Sequence, residues 1–130
     1  MSQENVEIVR RMYEAQNGEE FFGFLDPDVV WINYSSAPET RPYIGHDGVR
    51  EWVRGFQTHI GDFRFEPTEV LDAGGDQVVT VHRITAAGTT SGVPVEQTAS
   101  SLITLANGKI VRVQGFETRA DALEAAGLSE

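Results

Sequence analysis

Residues 95–116, VEQTASSLITLANGKIVRVQGF, decide the fold. Asn107-Gly108 is a strong signal for a two-residue β-hairpin turn, because both positions of such a turn need the positive φ angles that Asn and Gly tolerate. The segments on either side are rich in β-branched and apolar residues, which favour strands. The stretch therefore predicts two antiparallel strands, at 95–105 and 109–116.

The segment before this hairpin continues the strand pattern back to Gly61. Phe63 and Phe65 alternate with charged residues, and the pair Gly74-Gly75 marks a turn into a further strand over 77–87. This period of two predicts that the second half of the chain forms an antiparallel meander.

Helical spacing of apolar residues characterises the first half instead. The clearest stripe lies in 46–60, where apolar residues recur every three or four positions. A helix over 4–16 and a short one over 19–25 precede it, with a short strand at 29–33. A capping-box pattern opens a last short helix within 118–127.

This order of elements predicts one α+β domain over 1–130, with the helices on one face of a strongly bent antiparallel sheet. The sheet is expected to form an open cone around the N-terminal helices, and the space between them is a natural pocket. Apolar residues occur on both faces of the strands. In the strand over 77–87, Val79 and Val81 share one face, and Val78 and Ile84 share the other. We therefore expect a homodimer that buries the outer sheet face.

Charge and composition exclude several classes of function. The chain has 10 basic and 20 acidic residues, a net charge of −10, and Lys109 is its single lysine. Nucleic acid and anionic membranes are therefore poor partners, because both attract clustered cations. The lack of cysteine excludes disulfides and thiol catalysis. No leader peptide or membrane span is visible, so we expect a cytoplasmic protein.

Neither a metal nor a cofactor is expected. The three histidines, His46, His59 and His82, do not stand at metal-ligand spacing. The Gly-rich stretch 88–92 does not follow the order of strand, turn and helix that a phosphate cradle needs.

Several stretches together resemble one known family. They are ENVEIVRRMYEA at 4–15, LDPDVVW at 25–31, GHDGVREW at 45–52, NGKIVR at 107–112 and RADALEAAGL at 119–128. They resemble SnoaL-like proteins of the nuclear transport factor 2-like superfamily, which includes ketosteroid isomerases and limonene epoxide hydrolases. The resemblance implies a cystatin-like α+β barrel with a cavity, but it does not imply one chemistry, since the same cone hosts unrelated activities.

The resemblance to ketosteroid isomerases does not extend to their catalytic residues. Those enzymes use a carboxylate base at the end of the first strand, where this chain has Asn33. Their oxyanion hole combines a Tyr with a protonated Asp. Tyr13 lies within one residue of the Tyr position, while the Asp position falls at Ser100 or Ser101.

Limonene epoxide hydrolases use an Asp–Arg–Asp relay, with a Tyr and an Asn that hold the attacking water. Asn33 coincides with their Asn, Trp31 replaces the Tyr, and His82 stands at the Arg position. The two Asp positions are Ile84 and Gly115, so neither carboxylate is present. This activity is not expected either.

His82 and Asn33 remain as candidate catalytic residues. If Val78, Thr80, His82 and Ile84 face inward, the imidazole is a candidate general base; if they face outward, His82 is a residue of the dimer contact. Asn33 has the alternative of bonding its own backbone at the strand end. The candidate ligand-binding residues, whose aromatic members are also expected in the core, are Tyr13, Trp31, Trp52, Phe56, Ser101 and Glu117.

Three functions from different classes remain open. The first is an isomerase, cyclase or hydrolase that acts on a small, largely apolar molecule. The second is a non-catalytic protein that binds such a molecule in the same pocket, and the third is a domain whose purpose is dimeric association. A base with a perturbed pKa in the cavity favours the first, a dry pocket the second, and a pocket filled by its own side chains the third.

We predict no useful ketosteroid isomerase activity, because an amide at Asn33 cannot accept and return a proton near neutral pH. Loss of one oxyanion donor typically costs about 10²–10³ in rate, and loss of the general base about 10²–10⁴ more. A spectrophotometric isomerase assay should give the background rate, with at most a trace of activity in Asn33→Asp. Robust turnover by the unmodified protein would contradict this assignment of Asn33.

Overall fold

The computed structural model describes residues 2–33, 41–60, 63–86 and 95–128. Within these ranges no helix is long and apolar enough to cross a membrane. The described elements are, in chain order, α1 (Ser2–Tyr13), α2 (Gly18–Phe22), β1 (Leu25–Ile32), β2 (Tyr43–Ile44), α3 (Gly45–Ile60), β3 (Phe63–Asp72), β4 (Gln77–Ala86), β5 (Val95–Ala106), β6 (Lys109–Phe116) and α4 (Arg119–Ala125).

The predicted hairpin and meander are confirmed. Asn107 and Gly108 have φ angles of 52° and 79°, the positive values that a two-residue hairpin turn requires. Strands β3, β4, β5 and β6 lie side by side and each pairs antiparallel with the next. The α+β class follows directly from this meander and the helices before it.

The first strand departs from the expected antiparallel arrangement. β1 lies beside β6 and runs parallel to it, while β2 pairs antiparallel with β1 at the sheet edge. The order β2-β1-β6-β5-β4-β3 is open rather than closed into a barrel. β1 and β6 are far apart in the chain, so no tight turn forces them to run antiparallel.

Two irregularities bend the long strands. Thr68 of β3 lies opposite no residue of β4, and Val111 of β6 lies opposite no residue of β5, so the register shifts at both positions. A bulge adds an unpaired residue to one strand, and the strand bends and twists more strongly there. The curvature that the cone needs is thus built into β3 and β6.

Helices α1 and α3 cover the inner face of the sheet. Val9 of α1 and Val49 of α3 are fully buried, together with Val78 of β4 and Ile103 of β5. Because this contact removes apolar surface of both the helices and the sheet from water, it stabilises the domain.

The outer face is not left open, which corrects the expectation that all helices lie on one face. α4 packs there, and its Ala122 and Leu123 contact Val79 and Leu102 of the sheet. Among the described residues only Ile44 and Leu128 are large hydrophobic residues exposed to solvent. The homodimer was expected because this apolar face would otherwise be exposed to solvent. Since α4 packs on the face, that reason no longer supports the homodimer, which stays a prediction.

Candidate functional site

A small cavity lies between α3 and the inner face of the sheet. Its volume is about 30 Å³, which is room for about two water molecules. The described residues that line it are Trp31, Ile32, Asn33, Trp52, Phe56, Phe65, His82, Ile84, Ala99, Ser100, Ser101, Val113 and Gly115.

An open groove of about 440 Å³ adjoins this cavity. Cavity and groove share Ile32, Asn33 and Gly115, and the groove adds Gln114, Phe116, Glu117 and Asp121. Sites for drug-sized molecules occupy about 300–1,000 Å³. The groove, rather than the cavity, therefore has room for the body of an organic molecule.

Aromatic rings fill most of the space around the cavity. The Trp52 ring lies 4.9 Å from the Trp31 ring and 5.2 Å from the Phe56 ring, measured between centroids. Phe63 and Phe65 make edge contacts with the same Trp52 ring. The interior is thus closely packed, and its polar groups stand out against an apolar wall.

His82 faces inward, as the first of the two alternatives predicted. Its side chain is only 4 % exposed. The imidazole stacks on the Phe65 ring, with 4.9 Å between centroids and 15° between the ring planes. His82 therefore lines the cavity and does not belong to a surface contact.

The Tyr13 hydroxyl joins two buried polar side chains of β4. It lies 3.0 Å from the Thr80 hydroxyl oxygen and 3.3 Å from Nδ1 of His82. We refer to these three residues as the Thr80–Tyr13–His82 chain. Tyr13 is not among the described residues that line the cavity, so its hydroxyl acts behind His82.

Burial shifts the pKa values of His82 and Tyr13 so that the uncharged form of each side chain is favoured. It lowers the pKa of His82 from 6.5 to about 4, so the imidazole is uncharged at neutral pH. It also raises the pKa of Tyr13 to about 12, against a smaller opposing effect of the hydrogen bond with Thr80. A general base works best when its pKa lies near the working pH, so the lowered pKa of His82 is unfavourable for that role.

Asn33 is held by a hydrogen bond from α3. The indole Nε1–H of Trp52 donates to the Asn33 side-chain oxygen over 2.5 Å. An indole N–H can only donate, so this bond turns the amide oxygen towards Trp52. Asn33 thus has a fixed orientation where cavity and groove meet.

The remaining candidate residues lie either at the cavity or at the groove. Ser101 pairs with Thr80 across the strands and so shares the inner face, while the Ser100 hydroxyl donates to the Thr80 carbonyl oxygen. Glu117 lies on the groove, away from the cavity. The structure thus brings together in the cavity the residues Asn33, His82, Ser101, Trp31, Trp52 and Phe56.

Phe65 also lines the cavity, although the sequence indicated it only as a strand residue and not as a candidate for the site. Its alternation with Arg64 and Glu66 was a signal for the inner face, but nothing local indicates that it stacks on His82. Gly115 was considered only as a missing carboxylate, although it lies where cavity and groove meet.

The described residues contain no group of three or more His, Cys, Asp or Glu that could hold a metal ion. His46 has a structural contact instead, because its Nε2 lies 3.0 Å from the Leu25 carbonyl oxygen. The side chain of His59 and the stretch 88–92 lie outside the described residues.

The sequence pattern of SnoaL-like domains matches residues 7–113. The chain belongs to the SnoaL-like domain family. This confirms the resemblance noted in the sequence. Among curated proteins, none matches the chain.

Solved structures of similar fold cover nearly the whole chain. TerC, co-crystallized with polyporic acid, is 21 % identical over 95 % of this chain and 98 % of its own, with a TM-score of 0.77. A putative SnoaL-like polyketide cyclase from Jannaschia sp. CCS1 is 23 % identical over 95 % and 91 %, with a TM-score of 0.74. A hypothetical protein from Catenulispora acidiphila DSM 44928 has a ketosteroid isomerase-like fold and was solved in complex with trimethylamine. It is 15 % identical over 94 % and 93 %, with a TM-score of 0.71. At these identities the likeness establishes the fold.

Replacing Asn33 by Leu should destabilise the domain, because the buried Trp52 indole N–H loses its acceptor. Leaving a buried donor unpaired costs about 1–3 kcal/mol. Asn33→Asp keeps an oxygen at this position and should cost less. Urea denaturation at pH 7 measures both losses, and equal losses would mean that the bond to Trp52 is unimportant.

The stability of the domain should depend on pH through His82. In the unfolded chain this imidazole takes up a proton near pH 6.5, whereas in the folded chain it does so only near pH 4. Its contribution is therefore complete above pH 6.5 and is lost as the pH falls towards 4. One pKa unit corresponds to about 1.4 kcal/mol, so the full effect is about 3 kcal/mol.

The matched comparison is His82→Gln, because the carboxylates titrate equally in both proteins. Between pH 7 and about pH 4.5 the free energy of unfolding of the unmodified protein should fall by about 2–3 kcal/mol more than that of the variant. Parallel pH profiles would show that His82 is not buried in its neutral form.

Proposed function

We propose that this protein binds a small, largely apolar molecule, with its body in the groove and its polar end beside His82 and Asn33. One observation carries the proposal: two oriented hydrogen-bonding side chains stand in an aromatic-walled cavity that adjoins a groove large enough for an organic molecule. Binding sites of this kind combine an apolar lining with a few polar groups that set the orientation of the ligand.

The charges around the site favour a neutral or cationic ligand. All ten Lys and Arg residues lie within the described ranges, and none of them lines the cavity or the groove. The groove carries the carboxylates of Glu117 and Asp121. A carboxylate or phosphate on the ligand would meet no opposite charge here, and burying an unpaired charge is costly.

Two of the similar structures contain small molecules, polyporic acid in one and trimethylamine in the other. This supports the binding of small molecules by a protein of this fold. Catalysis of the isomerase, cyclase or hydrolase type is the alternative, favoured by the neighbour described as a putative polyketide cyclase. It requires a group that moves a proton, and the described cavity residues include no carboxylate.

A dimeric association domain remains the competing function, because side chains fill most of the cavity. The two functions predict different responses to ligands. A binding protein is stabilised by any compound that it binds in the folded state, in proportion to the logarithm of ligand concentration over Kd. A domain that only associates gains nothing from such compounds.

The test is a thermal-shift screen of small aromatic hydrocarbons, ketones and amines, followed by calorimetry of the best compound. We expect at least one class to raise Tm by several degrees at saturating concentration. Asn33→Leu and His82→Phe should weaken binding, whereas Thr98→Val, an exposed change in β5 opposite Arg83, should not. The proposal fails if no compound raises Tm, or if Asn33→Leu and His82→Phe bind the best compound as tightly as the control Thr98→Val does.

A further inference from the structure

The hydrogen bonds of the Thr80–Tyr13–His82 chain determine which ring nitrogen of His82 carries its proton. A neutral imidazole has one N–H and one acceptor nitrogen, and which is which follows from the partners around the ring. Among the residues that the structure describes, only Nδ1 has a hydrogen-bond partner, the Tyr13 hydroxyl at 3.3 Å. The direction of that bond therefore decides what the other nitrogen offers to a ligand.

Thr80, whose side chain is fully buried, sets the direction of these hydrogen bonds. Within the described part of the chain its hydroxyl has one hydrogen-bond partner, the Tyr13 oxygen at 3.0 Å. A buried hydroxyl without an acceptor for its hydrogen is strongly disfavoured. Thr80 must therefore donate to Tyr13.

The Tyr13 hydroxyl then has one acceptor left for its own hydrogen. Since Thr80 already uses its hydrogen on the Tyr13 oxygen, the Tyr13 hydrogen points to Nδ1 of His82. Nδ1 accepts and carries no hydrogen, so the single ring proton is on Nε2. The reverse direction, from Nδ1–H through Tyr13 to Thr80, leaves the Thr80 hydrogen without an acceptor.

We propose that His82 presents an Nε2–H donor to the cavity and selects ligands that carry a neutral acceptor oxygen, such as a ketone or ester carbonyl. This inference rests on the proposed function for the existence of a ligand, but not for the tautomer. The cavity has a volume of about 30 Å³, enough for about two water-sized groups and thus for one carbonyl oxygen. In this state His82 polarises a carbonyl and does not remove a proton.

Two further observations agree with a neutral acceptor. Burial lowers the pKa of His82 to about 4, which keeps the ring uncharged at pH 7. No Lys or Arg lines the cavity to balance an anion. A neutral imidazole that donates to a substrate oxygen has precedent in enzyme chemistry.

The tautomer is tested on the ligand-free full chain by long-range ¹H–¹⁵N correlation NMR at pH 7. His82→Gln identifies the signals of His82 among the three histidines. We expect a pyrrole-like shift for Nε2 and a pyridine-like shift for Nδ1. A protonated Nδ1, alone or together with Nε2, would overturn the assignment.

The ligand class is tested with indanone and indane, which share a ring system and differ by one carbonyl. Indanone should bind the unmodified protein about five- to tenfold more tightly, and its addition should shift the His82 Nε2–H signal. His82→Phe, which keeps a ring against Phe65, should lose the preference. Equal affinity for the two compounds, or binding of indanone without a shift at Nε2, would overturn the donor role.

If neither compound binds but a hydrocarbon or an amine of the thermal-shift screen does, the ligand selection fails and the proposed function stands. If no compound of any class binds, both fail. The tautomer of His82 is decided separately, because the NMR spectrum needs no ligand. The folding of His82→Phe is not required for that result, since the spectrum is recorded on the unmodified protein.

Discussion

The Tyr13 hydroxyl connects α1 to the sheet, and the site depends on this contact. Its partners Thr80 and His82 are both buried on β4, where an unpaired polar group would be costly. A shift of α1 by a fraction of a turn would break both bonds at once. The contact therefore fixes the helix against β4 and also fixes the ring of His82.

A second buried hydrogen bond fixes a helix against a strand on the other side of the cavity. Trp52 of α3 donates to Asn33, which follows β1, so α3 is held in register with the first strand. Around both bonds the contacts are aromatic and apolar, and such contacts have little directional preference. The two polar bonds thus supply the orientation that the apolar core alone does not provide. The small cavity lies between these two contacts, and the groove adjoins it at Asn33.

The local features of the fold could be predicted from the sequence, and the long-range ones could not. The Asn107-Gly108 turn, the alternation around His82 and the stripe of α3 are set by residues close in the chain. The parallel pairing of β1 with β6 and the docking of α4 on Val79 join segments far apart. For the same reason the sequence identified His82 and Asn33 as candidates but not their partners. Tyr13 is 69 residues from His82, and the pKa of about 4 follows from burial that only the folded chain creates.

A double-mutant cycle on Tyr13→Phe and Thr80→Val tests most directly whether this buried bond holds α1 to β4. Both changes remove a hydroxyl and preserve shape closely, and the free energy of unfolding is measured for the two single variants and the double variant. We predict that the double variant loses less than the sum of the singles, by about 0.5–1.5 kcal/mol. The control pair of Tyr13→Phe with the exposed change Thr98→Val should be additive. Additive losses for Tyr13→Phe and Thr80→Val would contradict the account, because the two hydroxyls would then not depend on each other.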